Sequence, residues 1–231
     1  MAEKRMIGIV IADKDEYEPL EAWAAGEGGE LCNLGSRRAF KVEAFGACIV
    51  AVCCGIGKVN AAASAMLLAS LDADILFNIG YVGGISNVRR GELVVADRFL
   101  EHDFDLSVIG YKPSEKPGQE YIYLADEVLS DKLSDALSVK KVTAVTGDCF
   151  VCDEQKREFL KTHFGANICD MESAAVASVA EQMGIRFVSV KRVSDDAGDT
   201  AAEDYRDMNT NEGEALSSVA VRCIAFISEN L

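Results

Sequence analysis

A three-layer α/β fold, in which helices flank a mainly parallel central mixed sheet, is what this sequence predicts. Two observations carry the expectation. Runs of strand length such as 6–12, 48–53 and 75–79 are apolar at nearly every position, the pattern of strands buried on both faces. Longer segments of helical period separate them, so helices must cover both sides of the sheet. No linker, repeat or low-complexity tract divides the 231 residues, and 1–231 reads as one domain. A chain of this length buries about 70% of its unfolded surface and needs no disulfide or metal staple.

In order, 6–12 reads as a buried strand and 16–25 as a helix. Segments 41–45 and 48–53 read as a hairpin across Gly46, and 59–71 as an Ala-rich helix. Next come a short apolar strand at 75–79 and a glycine loop at 80–84. Further strands are expected at 93–96, 142–145 and 187–190, with helices at 154–162, 171–183 and 212–228. The stretch 111–120, which holds two of the three prolines, reads as a surface loop.

The 23 basic and 38 acidic residues leave a net charge of −15, a field that repels nucleic acid and anionic membrane surfaces. The apolar run at 6–12 is too short for a signal core, and no stretch reaches the length of a membrane span. A soluble cytoplasmic protein is expected. Eight scattered cysteines read as reduced core thiols, and Cys149-x-x-Cys152, without a second pair or a histidine cluster, as buried small residues and not a metal or redox site.

In open α/β sheets, functional groups gather where strands end. Four places stand out: Asp13 to Glu16, Gly80-Tyr81-Val82-Gly83-Gly84, Asp170-Met171-Glu172, and Ser194-Asp195-Asp196. Taken singly, each has a local explanation as a helix cap, a helix-terminus charge or an Asx turn. Together they gather carboxylates beside a glycine-lined backbone, which suits a reaction needing an acid, a base and a stabiliser of positive charge. Gly55-Ile56-Gly57-Lys58 lacks the phosphate-loop spacing and reads as a tight turn near a ligand.

Seven segments, in order and at similar spacing, resemble the nucleoside phosphorylase superfamily. They are Ile7-Gly-Ile-Val-Ile-Ala-x-x-x-Glu16, Cys54-Gly-Ile-Gly-Lys-Val-Asn60, Asn78-Ile-Gly-x-x-Gly-Gly84, His102-Asp-x-Asp105, Gly147-Asp-x-Phe150, Asp170-Met-Glu172 and Val193-Ser-Asp195. Within that superfamily the chain is most similar to the methylthioadenosine/S-adenosylhomocysteine nucleosidases.

The resemblance implies a purine nucleoside N-glycosyl hydrolase without cofactor or metal, acting on a nucleoside with an apolar or thioether 5′ group. Glu16 would activate water, and Asp195, oriented by Ser194, would protonate purine N7. Glu172 would hold the ribose hydroxyls against Met171. Phe150 and the Val151 backbone would hold the base, with Tyr205 over the ligand; Ile56, Val82 and Gly83 complete the expected lining. Leu106 and Ile109 would cover the 5′ side in a neighbouring subunit, which implies an isologous homodimer. His102 takes a structural role.

Two residues depart from the family pattern. Tyr81 stands where nucleosidases carry a small residue, and Lys191 where they carry an arginine near the ribose and water; Arg192 would reach that place only by a one-residue slip that turns it to the opposite face. Asn78 and Tyr81 replace the arginine and serine with which phosphorylases hold phosphate, and the acidic first loop opposes a phosphate dianion, so hydrolysis is favoured. A phosphate-dependent phosphorylase and a catalytically silent nucleoside binder are the alternatives.

Overall fold

In the computed structural model, which describes residues 5–207 and 214–231, the first strand sets the layering. Every residue of β1 (Met6–Ile11) is buried. Ile7, Ile9 and Ile11 share a core with Tyr17, Leu20 and Ala24 of α1 (Lys14–Gly26), while Met6 and Val10 share another with Ala61, Ala65 and Leu68 of α2 (Lys58–Ala69). Alternate side chains of one strand therefore serve cores on opposite faces. α3 (Glu127–Leu137) and α7 (Leu216–Asn230) join α1 on its side, and α5 (Ser173–Met183) packs on α2.

β1 pairs in parallel with β4 (Ala47–Cys53) and β5 (Ile75–Gly84), and β3 (Arg37–Ala44) and β2 (Glu30–Leu34) extend the sheet antiparallel beyond β4. On its other side β5 pairs in parallel with β10 (Arg186–Asp195) and, at its end, antiparallel with β9 (Ile168–Asp170). β10 pairs antiparallel with β6 (Leu93–Glu101), β6 in parallel with β8 (Lys141–Thr146), and β8 in parallel with β9. Strands 5, 10, 6, 8 and 9 thus close a ring, from which β1, β4, β3 and β2 extend. β7 (Ile122–Leu124) is added antiparallel to β6.

The α/β layering matches the expectation, and the differences have local causes. Residues 80–84, expected as a loop for their glycines, continue β5, because pairing with β10 and β9 on both sides holds them extended. The helix expected from 171 begins at Ser173, since the Asp170 side chain accepts the Ser173 N–H at 3.2 Å and fixes the start there. Ser194 and Asp195 belong to β10 itself. Residues 212 and 213 of the last expected helix lie outside the described residues, and its described part is α7. α4 (Glu154–Phe164) includes His163 instead of ending before it. The strands β2, β7 and β9 and the helices α3 and α6 (Ala201–Asp207) were not foreseen. None of the eight cysteines forms a disulfide, but Cys32, Cys149 and Cys152 are exposed and not core thiols. The last two ride the irregular loop between β8 and α4, where the chain runs over the surface.

Candidate active site

Chain segments at the ends of β1, β4, β8 and β9 and the final residues of β5 and β10 surround an open pocket. Glu16, Ile56, Tyr81, Gly83, Phe150, Val151, Met171, Glu172, Ser194, Asp195 and Tyr205, all expected from sequence, line it.

Glu16 comes from the first turn of α1. Asp13 starts that helix by accepting the Asp15 N–H at 2.7 Å, so the capping explanation for Asp13 holds alongside any chemical role. The Glu16 carboxylate reaches back across the sheet and accepts the Tyr81 N–H at 2.8 Å. Gly80 makes room for it: a Cβ there would lie 3.0 Å from both carboxylate oxygens. Burial pushes the Glu16 carboxyl up to about 7, against the opposing pull of the Tyr81 N–H and the Lys191 charge.

Glu172 precedes α5 and accepts the Gly57 N–H at 2.8 Å, tying the Gly55–Lys58 turn to the pocket. Burial and the neighbouring Asp170 charge push it up to about 7 as well.

Asp195 owes its direction to a β-bulge. The register of β10 on β5 shifts between Val193 and Asp195, which re-aims the side chain toward the pocket. There it is almost fully buried, accepts the Ala197 N–H at 2.8 Å in an Asx turn, and takes a 2.6 Å hydrogen bond from the Ser194 hydroxyl. Burial raises its pKa above the ordinary aspartate value. A Cβ on Gly83 would stand 2.9 Å from Cys169 Sγ and 3.2 Å from Asp195 Oδ1, so only glycine fits beneath the acid. Phe150, 46% exposed, meets Tyr205 edge-on at 5.8 Å, and the two rings form an aromatic wall.

Two expected ligand contacts are corrected. Val82 is a buried core side chain whose carbonyl lies 3.0 Å from the Ser194 hydroxyl, so it does not line the pocket. Lys191 lies behind the wall, 3.1 Å from Asp170, and does not reach the pocket surface. Arg192 points the other way, to the Glu214 carbonyl. Leu106 lies beside an exposed 3-10 turn, Ser107–Ile109, away from this pocket. His102 is buried against Gly147, and burial lowers its pKa. Sequence reading missed Ala12, Cys149 and Cys169 as lining residues, and named Asp170, which also lines the pocket, only within its strand-end segment. Ala12 and Cys149 sit inside matched segments, but Cys169 lies on a three-residue strand too short to carry a periodicity.

Among the described residues, no lysine or arginine lines the pocket. Nearby cations are engaged elsewhere: Lys58 with Glu101 and Asp103, Arg37 with the Cys54 carbonyl and Asn60. Asn78 is buried, its amide donating to the Val10 carbonyl and accepting from Ser173. No group of three or more His, Cys, Asp or Glu among the described residues is placed to hold a metal ion.

The description of the Phosphorylase superfamily matches residues 6–225, and the chain belongs to that superfamily. A 5'-methylthioadenosine/S-adenosylhomocysteine nucleosidase from Marinomonas sp. is 33% identical over 214 residues, covering 87% of this chain and 90% of the relative. Another, from Geobacillus sp., is 37% identical over 164 residues, 66% of this chain and 70% of the relative. The crystal structure of the Neisseria meningitidis nucleosidase in complex with methylthio-immucillin-A superposes with a TM-score of 0.87 at 26% identity, covering 98% of this chain and 100% of that one.

Proposed function

We propose that this protein hydrolyses the N-glycosidic bond of purine nucleosides carrying a 5′ modification, of the methylthioadenosine or S-adenosylhomocysteine type, and releases the free base. One observation carries the reading. Glu16, Glu172 and Asp195 converge on a pocket with an aromatic wall and, among the described residues, no cationic lining residue. Breaking the bond builds positive charge on the sugar and negative charge on the purine, so it calls for an anion, an acid and a positioned nucleophile.

Asp195, its carboxyl raised by burial, carries the proton to purine N7, and Ser194 orients it. Glu172 accepts the ribose hydroxyls and opposes the charge of the oxocarbenium-like sugar, with Met171 as its wall. Glu16, at about 7, takes a proton from the attacking water near neutral pH. Phe150 stacks on the base beside Val151, and Tyr205 closes over the ligand. Residues 1–231 act as one domain in the cytoplasm, a reducing compartment that suits eight cysteines outside any disulfide.

The absence of lining cations favours water over phosphate. Product analysis on methylthioadenosine is expected to give adenine and free sugar at equal rates with and without phosphate. Accumulation of a sugar 1-phosphate, with no activity when phosphate is withheld, makes the protein a phosphorylase; tight nucleoside binding without turnover makes it a silent binder.

The working unit is an isologous homodimer in which Leu106 and Ile109 of one protomer cover the 5′ side of the other's ligand. Supporting this, Ile109 is 66% and the adjacent Val108 92% exposed, and α2 presents the exposed apolar residues Val59, Met66 and Leu67. Light scattering is expected to give twice the 24.8 kDa chain mass; a monomer mass at micromolar concentration removes the shared pocket.

A further inference from the structure

The buried ammonium of Lys191 is paired with one buried carboxylate, Asp170, and its charge also acts on two others, Glu16 and Glu172. Lys191 is 2% exposed, and its Nζ lies 3.1 Å from Asp170 Oδ2, on a side chain equally enclosed. Its register partner on β5 is Gly80, the residue whose absent Cβ makes room for both Glu16 oxygens. Register partners on parallel strands project to the same face, so Lys191 and the Glu16 carboxylate share one side of the sheet. Glu172 follows Asp170 by two residues and lines the same pocket.

Asp170 is held from several directions. Thr146 donates to it at 2.6 Å, the Ser173 N–H at 3.2 Å, and the Ser173 hydroxyl also donates to it; that hydroxyl stands 2.9 Å from Asn78, whose amide is fixed on Val10. It cannot turn to a ligand, and it keeps the ammonium behind the wall. A buried ion pair contributes little stability over an apolar pair of the same volume, so stability alone does not explain this one. Two further carboxylates beside it do.

We propose that Asp170 and Lys191 are positioning residues: Asp170 anchors the ammonium behind the pocket wall, and the ammonium lets Glu16 and Glu172 share the pocket in ionised form. Among the described residues, Glu16 also meets Asp13, Cys53, Cys54, Tyr81 and Tyr205, and Glu172 meets Cys54 and Tyr205, none of them cationic. The Lys191 charge lowers both Glu16 and Glu172, and the Asp170 charge raises Glu172. Removing either partner must therefore move Glu172 in opposite directions. The inference deepens the nucleosidase reading and rests on it only for the kinetic arm of its test.

The test titrates ¹³C-labelled glutamate carboxyls by NMR in the parent, Lys191→Met, Lys191→Arg and Asp170→Asn, alongside pH profiles of kcat/KM on methylthioadenosine. Lys191→Met is expected to raise the Glu16 and Glu172 midpoints by roughly one to two pH units, the scale of an opposite charge at close range. The acid limb of kcat/KM moves with them, so a loss of about tenfold or more at pH 7 is regained as pH rises. Lys191→Arg keeps midpoints and limb near the parent's. Asp170→Asn lowers the Glu172 midpoint. Should Lys191→Met fail to fold, the other two titrations decide: a downward shift in Asp170→Asn with parental midpoints in Lys191→Arg supports the proposal. Midpoints unmoved in Asp170→Asn, or activity lost evenly at every pH with no movement of the limb, overturn it. A parent that titrates as described yet releases no base removes the nucleosidase reading and leaves the charge pair standing.

Discussion

Asp195→Asn is expected to lower kcat by at least about 100-fold while nucleoside affinity stays within a few fold of the parent's, the scale on which a general acid contributes. The bulge that aims the side chain lies in the backbone and does not depend on the carboxyl. An asparagine oxygen can still accept the Ala197 N–H, so the shape of the acid's seat survives. What is lost is the proton. An amide has none to release to N7, and the purine must then leave as an anion that the acidic pocket opposes. Steady-state kinetics and calorimetric titration with a non-hydrolysable nucleoside separate the two quantities. Near-parental turnover moves the acid elsewhere, with the exposed Asp196 first in line.

The residues that chemistry demands were legible where several constraints met in one short segment. Glu16 is both the end of an apolar strand's first loop and the third residue of a capped helix, and Asp195 both ends a strand and opens an Asx turn. Their local and chemical explanations turn out to be compatible: a cap or turn fixes the backbone that delivers the carboxylate. Lys191 was placed wrongly for the opposite reason. Period-2 alternation names the face its side chain takes, but only the tertiary partner Asp170 decides how far it extends. Likewise the glycines at 80–84 suggested a loop, because the two flanking strands that keep them extended come from residues about 85 and 110 positions later. β9, three residues long, leaves no pattern at all, and Cys169 went unseen with it.

Glu16→Gln and Glu172→Gln remove the same charge and are expected to fail differently. Glu16→Gln should lose turnover by roughly 100-fold or more yet bind the nucleoside nearly as the parent does, since its partner is the water and its Tyr81 hydrogen bond survives in the amide. Glu172→Gln should weaken binding as well as kcat, because a carboxylate accepting ribose hydroxyls makes charge-assisted hydrogen bonds and opposes the sugar's developing charge. Stability gives an independent reading of Glu16. Its folded pKa, about 7, lies above the ordinary 4.5, so the fold binds more protons than the unfolded chain between those values. The protonated carboxyl's favourable contribution is fully present below about 4.5 and is lost as pH rises through 7; above 7 the ionised group costs the empty protein at most about 3 kcal/mol. Glu16→Gln should therefore melt at a higher temperature than the parent at pH 8, with the difference closing near pH 4.5. Parental kcat in Glu16→Gln, parental affinity in Glu172→Gln, or no pH dependence in the melting difference would show that the two carboxylates have been given the wrong tasks.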